Sequence, residues 1–297
     1  MKALPKESVL PQEVLFRLES GRLKVKPFLK WAGGKSRLLV DLRSCVPQRY
    51  GRYIEPFVGG GAFFFDLAPT EATLSDSNAE LISCYQVVRD MPDELIQALS
   101  HYRVSESEFY RVRALQPDSL PAVERAARFI YLNKTCYNGV YRVNKRGQFN
   151  TPFGHYKSVA LVDKSNLHQA SALLQSAELV CQDYQTVLSY AKKNDFVYLD
   201  PPYMPVSKYA DFKRYTKEFF YEGDHERLAE VFTELSNRGC LVLLSNSYHP
   251  KIAELYSGHH QKKVEVPRFV NCRGNGRGNV TELLISNFDL AMMAGAA

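Results

Sequence analysis

The sequence has no apolar run approaching the ~20 residues that a membrane-spanning helix needs. It has no C-x-x-C pair and no cysteine–histidine cluster at zinc spacing. Cys45, Cys84, Cys136, Cys181, Cys240 and Cys272 stand singly, which argues against a disulfide framework or a structural metal and predicts reduced, partly buried thiols. Residues 1–26 mix charges with isolated apolar side chains and lack the apolar core and small-residue cleavage site of a signal peptide, so a cytoplasmic protein is expected. No internal repeat or low-complexity block is present. Two common nucleotide-binding signatures are also missing. Gly59-Gly60-Gly61-Ala62-Phe63-Phe64 lacks the third glycine of the nicotinamide fingerprint, and Gly33-Gly34-Lys35-Ser36 lacks the glycine spacing of a phosphate-binding loop. Acidic residues are absent from Lys134 to Lys157, whereas Lys134, Arg142, Lys145, Arg146 and Lys157 alternate there with Tyr137, Tyr141, Phe149, Phe153 and Tyr156.

What is present is a chain of 297 residues, 45% hydrophobic and 24% charged, enough for one large α/β domain or a core with an inserted subdomain. The net charge of +6 is compatible with a nucleic-acid partner but is weak support alone; the basic, aromatic stretch is the stronger sign, suiting phosphate and base contact together. Tyr53–Val58, Ala72–Leu74, Glu178–Cys181, Asp195–Leu199, Cys240–Ser245 and Glu282–Asn287 read as strands, and Asp76 is expected just past the second. Ala62–Leu67, Asn78–Arg89, Asp93–Tyr102, Glu106–Ala114, Val123–Leu132 and Asp224–Arg238 read as helices. Strands with helices between them at both ends predict a mostly parallel sheet. The pattern is interrupted over 86–160, taken as an inserted, mostly helical domain; residues 27–85 and 161–290 form the core, 1–26 an extension, and 291–297 a frayed end.

Three motifs carry chemistry. Asp200-Pro201-Pro202-Tyr203 follows a buried strand, at the end where open α/β sheets place ligands. A carboxylate and a proline-held carbonyl can accept both hydrogens of an exocyclic amine, and the tyrosine ring can stack on the attached base. The bland alternative is a proline turn capping a helix. Glu55-Pro56-Phe57-Val58-Gly59-Gly60-Gly61 lets a ligand approach the backbone, and Asp76 stands where an acidic residue binds ribose hydroxyls; together they favour an adenosine-containing ligand other than NAD over a plain tight turn. Lys30-Trp31-Ala32-Gly33-Gly34-Lys35 sets the only tryptophan beside two glycines and two lysines, as an anion-binding turn or a basic turn with a core tryptophan.

These motifs, in this order and spacing, resemble the Dam family of adenine-N6 DNA methyltransferases (the D12 class), nearest its Dpn-type GATC methylases, over roughly residues 27–288. The resemblance implies a Rossmann-like, S-adenosylmethionine-dependent methyltransferase core with an inserted DNA-recognition domain. It implies a cofactor site formed by Trp31, Lys35, Glu55, Phe57, Gly59, Gly61, Asp76 and Asp200, and a target-adenine site formed by Asp200, Pro201, Pro202 and Tyr203. The segment Asn133–Lys157 is similar to the family's DNA-recognition hairpin. Arg142 would read a guanine, and Tyr137 and Asn138 would insert near the target base. Asn144, Pro152 and Tyr156 would contact bases or backbone, and Lys30 would touch the first guanine.

Double-stranded DNA is the implied partner, with a cognate restriction endonuclease as a further one where such a system exists; a monomer is the default, and no metal is expected. The implied reaction is methyl transfer to N6 of a flipped-out adenine at GATC. His155, Thr135 and Cys136 depart from the family pattern. The basic loop Asn271–Gly278 is assigned no catalytic role, and His225, His249, His259 and His260 are read as solvated or structural. Methylation of cytosine N4 or a protein glutamine, and a catalytically inactive DNA-binding relative, remain as alternatives.

Overall fold

A computed structural model describes residues 25–144, 146–156, 158–204, 220–267 and 279–290. The N-terminal extension before residue 25, Lys145, Lys157, the basic loop at 271–278 and the C-terminal end at 291–297 lie outside the described residues.

Seven strands form one sheet: β1 (Tyr53–Glu55), β2 (Ala72–Asp76), β3 (Ala177–Cys181), β4 (Phe196–Leu199), β5 (Leu241–Ser247), β6 (His260–Pro267) and β7 (Asn279–Ser286), in the order β3-β2-β1-β4-β5-β7-β6. The first five in that order pair in parallel, and β7 runs antiparallel to both β5 and β6. From β1 the chain proceeds outward to β2 and β3, then returns to lay β4 on the other side of β1. The carboxyl ends of β1 and β4 therefore flank a topological switch point, the crevice in which open α/β sheets bind ligands.

β1 and β4 read Tyr-Ile-Glu and Phe-Val-Tyr-Leu and are buried throughout, as central strands covered on both faces must be. Successive side chains alternate between two cores. Phe196, Tyr198 and Leu243 join one cluster, with α1 (Leu39–Ser44), α2 (Ala62–Leu67), α3 (Ala79–Asp90), α4 (Pro92–Ser100), α5 (Glu106–Ala114), α6 (Ala122–Thr135) and α7 (Lys164–Leu174). Val197, Leu199, Val242 and Leu244 join the other, with α8 (Glu222–Asn237) and α9 (Pro250–Leu255). The first cluster is continuous from the sheet into α4–α6, and α3 passes through residue 86 unbroken. Full burial of a phenylalanine such as Phe64, Phe109 or Phe129 contributes roughly 1.5–3 kcal/mol each to this layer.

The structure corrects several boundaries. β1 ends at Glu55, because Pro56 begins the glycine turn. Asp76 is the last residue of β2 rather than the first beyond it, and Asn78 caps α3 by accepting from the Leu81 amide at 3.1 Å. α1, α7, α9 and β6 fall where no element is expected from the sequence. α1 and α9 span six residues each, too short for a helical period to emerge. β6 is an edge strand in which Gln261, Lys263 and Glu265 are exposed while Lys262, Val264 and Val266 are half-buried, so its alternation is masked by charge. α7 was legible: Asp163 caps it and Leu167, Ala170 and Leu174 recur on one face. Among the described residues no helix is long and apolar enough to cross a membrane.

Candidate active site

A cavity of about 330 Å³ opens at the carboxyl ends of β1 and β4. It gathers the sequence-predicted residues Trp31, Lys35, Glu55, Phe57, Gly59, Gly61, Asp76, Asp200, Pro201, Pro202 and Tyr203, which come from four separate stretches of chain. Glu55, Asp76 and Asp200 arrive here at strand ends, whereas Trp31 and Lys35 come from a turn that follows no described strand.

Asp200 follows β4, and its carboxylate is held by two side chains from other segments. Lys35 Nζ lies 2.5 Å from Asp200 Oδ1 and donates a second bond to the Gly33 carbonyl at 2.8 Å. Ser245 Oγ donates to the same Oδ1 at 3.1 Å. Burial pushes the Asp200 carboxyl above its ordinary range, opposed by the Lys35 ammonium and the Ser245 hydroxyl. Lys35 thus stands against the Asp200 carboxylate as well as lining the cavity, with its ammonium 4.6 Å from the centre of the Tyr203 ring. The Tyr203 hydroxyl in turn donates to Glu282 Oε2 at 2.6 Å from β7.

The glycine turn and β2 make the opposite wall. Asp76 accepts from the Gly59 amide at 3.2 Å and the Asn78 amide at 2.9 Å. Burial raises its carboxyl to about 6, against the pull of those amides. Gly59 has φ +46°, and a Cβ there would stand 2.6 Å from Trp31 Cδ1, so the close approach of the Trp31 ring requires glycine. Glu55 accepts from the Tyr53 hydroxyl at 2.8 Å, and burial raises its carboxyl well above the carboxylate range.

Sequence reasoning missed the third wall. Asp183 and Tyr184 follow β3, Phe220 precedes α8 and Asp224 lies in its first turn; all four line the cavity. Phe57 stacks on Tyr184 with ring centres 5.1 Å apart and planes at 26°, and Phe220 meets Phe57 edge-on at 6.1 Å. The position of Asp183 just past a parallel strand was the available signal, the same that marked Asp76. Among the described residues the lining holds four aspartates (Asp76, Asp183, Asp200 and Asp224), and Glu55, whose carboxyl burial holds toward its neutral form, against Lys35 as the one ammonium or guanidinium group. The cavity therefore suits a cationic ligand.

The segment after α6 folds as a small hairpin. Isolated bridges join Cys136 to Phe153 and Val143 to Phe149. Arg142 donates through Nε to Asn150 Oδ1 at 2.8 Å, and Asn144 closes the tip by accepting from the Arg146 and Gln148 amides. Tyr137 is 50% exposed, Asn138 is exposed with φ +55°, and Pro152 is exposed. Lys30 is exposed, its Nζ 4.8 Å from the centre of the half-buried Tyr156 ring. The hairpin meets the cavity wall through one aromatic stack, and the end of α6 from which it springs is bonded to the Lys30 turn. Tyr141 stacks on Trp31 at 5.5 Å and 19°, and Asn133 bonds the Lys30 backbone in both directions at 2.8 and 2.7 Å. Of the histidines, His225 is buried with its pKa lowered to about 4 by burial, His249 caps α9, and His259 packs on Phe232.

Comparison with known proteins follows the same lines. The chain is 42% identical over 289 residues to the Type II methyltransferase M.MjaIII of Methanocaldococcus jannaschii, covering 90% of this chain and 100% of that one. It is 39% identical over 279 residues to the Type II methyltransferase M1.LlaDCHI of Lactococcus lactis subsp. cremoris, covering 91% and 98%. It is 36% identical over 265 residues to the DNA adenine methylase of Escherichia coli strain K12, covering 88% and 95%. The family model of the D12 class N6 adenine-specific DNA methyltransferases matches residues 31–269, from the Trp31 turn through the Asp200 motif and into the region after β6. A switch-point cavity holding a carboxylate–Pro–Pro–Tyr motif opposite a glycine turn, on a chain matched over most of its length, places the protein in the D12 class of N6 adenine-specific DNA methyltransferases.

Proposed function

We propose that this chain methylates N6 of an adenine flipped out of duplex DNA, at GATC, with S-adenosylmethionine as donor. The observation that carries the reading is the Asp200 carboxylate, anchored through Oδ1 by Lys35 and Ser245 in the same cavity as Asp76 and the glycine turn. S-adenosylmethionine, when bound, supplies an electrophilic methyl on a positively charged sulfur. The residues fit such a ligand. Asp76 would accept from ribose hydroxyls, the Phe57–Tyr184 pair offers aromatic faces to an adenine, and the excess of carboxylates complements a sulfonium and an ammonium.

Adenine N6 is stacked inside duplex DNA, so the base has to swing out at a cost of a few kcal/mol. Asp200 and the Pro201 carbonyl would accept the two amine hydrogens, raising electron density on nitrogen and aiming its lone pair, while Tyr203 stacks on the ring. Pro201 and Pro202 leave that turn without competing N–H donors. Rate enhancement then comes from positioning and electrostatics rather than from a strong base. Arg142 would exchange Asn150 for guanine O6 and N7, exposed Tyr137 and Asn138 would enter the space left by the base, and Lys30, Asn144, Pro152 and Tyr156 would face DNA around it. The GATC site rests on the motif resemblance. Incubation with S-adenosylmethionine and unmethylated plasmid, followed by a nuclease that cuts only unmethylated GATC and by nucleoside analysis, tests the proposal. Protection together with N6-methyladenine is expected. N6-methyladenine without protection would reject GATC, and neither signal would reject the activity.

A further inference from the structure

Ser245 is fully buried on β5, the strand beside β4, and belongs to none of the motifs that mark the cavity. Its Oγ lies 3.1 Å from Asp200 Oδ1 and 2.8 Å from the Tyr198 hydroxyl, itself fully buried. An ionised carboxylate only accepts, so Ser245 has to donate to Asp200. Its lone pair then receives the Tyr198 hydrogen, and the chain runs in one direction, from Tyr198 to Ser245 to Asp200. The Tyr198 ring is held in turn by an edge contact with Phe63, centres 4.8 Å apart.

Both Ser245 and Lys35 donate to Oδ1, and among the described residues no donor falls on Oδ2. The terminal torsion of an aspartate is broad and two-fold, so a carboxylate held by one flexible partner turns readily. Lys35 is a point charge on a four-carbon stem, which holds the negative charge but not its plane. Ser245 is a short side chain on a central strand, and its hydroxyl fixes the plane. The geometry points to Ser245, oriented by Tyr198, as the positioning residue that locks Asp200 so that Oδ2 faces the amine to be methylated. This inference rests on the reading of Asp200 as the amine acceptor given above.

The test is single-turnover methylation of a duplex oligonucleotide by the full chain, measured across pH, with cofactor and DNA affinities taken separately. Ser245→Ala is expected to slow the methylation step by about 10- to 100-fold, the range that loss of one aligning contact produces, with both affinities within about twofold. Its acidic limb should move to higher pH, since the lost donor held the Asp200 carboxyl down. Tyr198→Phe keeps the ring volume and frees the Ser245 hydroxyl; it should slow the step several-fold and serves if Ser245→Ala does not fold. Ser245→Thr, which keeps the hydroxyl, should recover most of the rate. Wild-type rate and pH profile in folded Ser245→Ala or Tyr198→Phe, or loss confined to cofactor or DNA affinity, overturns the positioning role while leaving Asp200 in place. Full activity in Asp200→Ala would overturn the underlying reading as well.

Discussion

The cavity and the hairpin solve opposite problems with polar side chains. In the cavity, Asp200 is held by Lys35 and Ser245 from two other segments, Asp76 by the Gly59 turn as well as by its neighbour Asn78, and burial raises both carboxyls. In the hairpin, Arg142 and Asn144 bond within their own loop, to Asn150 and to the amides of the tip. Its attachment to the body is largely aromatic, Tyr141 on Trp31 and Phe129, and Phe149 and Phe153 on Phe109, with the Tyr141 hydroxyl on Glu80 as a polar tie. A buried group fixed by remote partners is preorganised for chemistry, because nothing has to move when charge develops. A half-exposed guanidinium satisfied by a neighbouring amide can trade that partner for a base edge at little cost, which suits reading. Damage to the cavity should therefore appear in the rate of the chemical step, and damage to the hairpin in the choice of site.

The largest effect expected is that of Asp200→Ala, a loss of about 10³-fold in single-turnover rate, the order found for removing a preorganised electrostatic group. DNA affinity by fluorescence anisotropy should stay within about threefold; a loss of affinity comparable to the loss of rate would erase the division. Next comes Arg142→Ala, expected to relax discrimination at one base pair by about 1–3 kcal/mol, read as the ratio of kcat/KM on matched and mismatched duplexes. The rate at saturating DNA should remain near that of wild type, and a collapse of that rate would place Arg142 with the chemistry instead.

A smaller, pH-dependent effect separates Asp76 from the hairpin. Its folded carboxyl titrates near 6 against an ordinary 3.8, so its share of apo-protein stability is fully present below about 3.8 and is lost as pH rises through about 6. With Asp76 in its proposed role, cofactor affinity is expected to run the other way, since the ionised form is the better acceptor for ribose hydroxyls. Calorimetric titration with a non-reactive cofactor analogue should show binding about fourfold weaker at pH 5.5 than at 7.5, the drop in ionised fraction for a group near 6. Asp76→Asn should flatten that profile, and an unchanged slope in the variant would assign the dependence elsewhere.

The smallest effect concerns the join between the two regions. The Tyr141 hydroxyl reaches Glu80 Oε1 at 3.4 Å, and Arg128 already pairs with the other oxygen of Glu80 at 3.3 Å. Tyr141→Phe keeps the stack on Trp31 and should cost about 0.5 kcal/mol of stability in urea unfolding. Neither methylation rate nor site preference should change beyond about twofold. A marked change in both would mean that the join transmits between cavity and hairpin.

The sequence by itself determined what local pattern can carry. Apolar runs such as Phe196–Leu199 specified buried strands, Gly59 and its neighbours specified a turn that a side chain would block, and Asp76 and Asp200 were marked by standing at strand ends. The strands, the turn and the strand-end carboxylates depend on a residue and its immediate neighbours; that Trp31 is what a side chain at Gly59 would strike does not. Only the tertiary structure decided which side chains meet. Lys35 reaches Asp200, Ser245 and Tyr198 stand behind it, Glu282 holds Tyr203, and Asp183 and Tyr184 close the third wall. Those contacts arise from strand order, since β4 lies between β1 and β5, and β7 lies against β5. Pairing in a sheet joins residues distant in the chain and leaves no periodic trace in the residues it joins, so Ser245 looks in sequence like any polar residue near the end of an apolar strand.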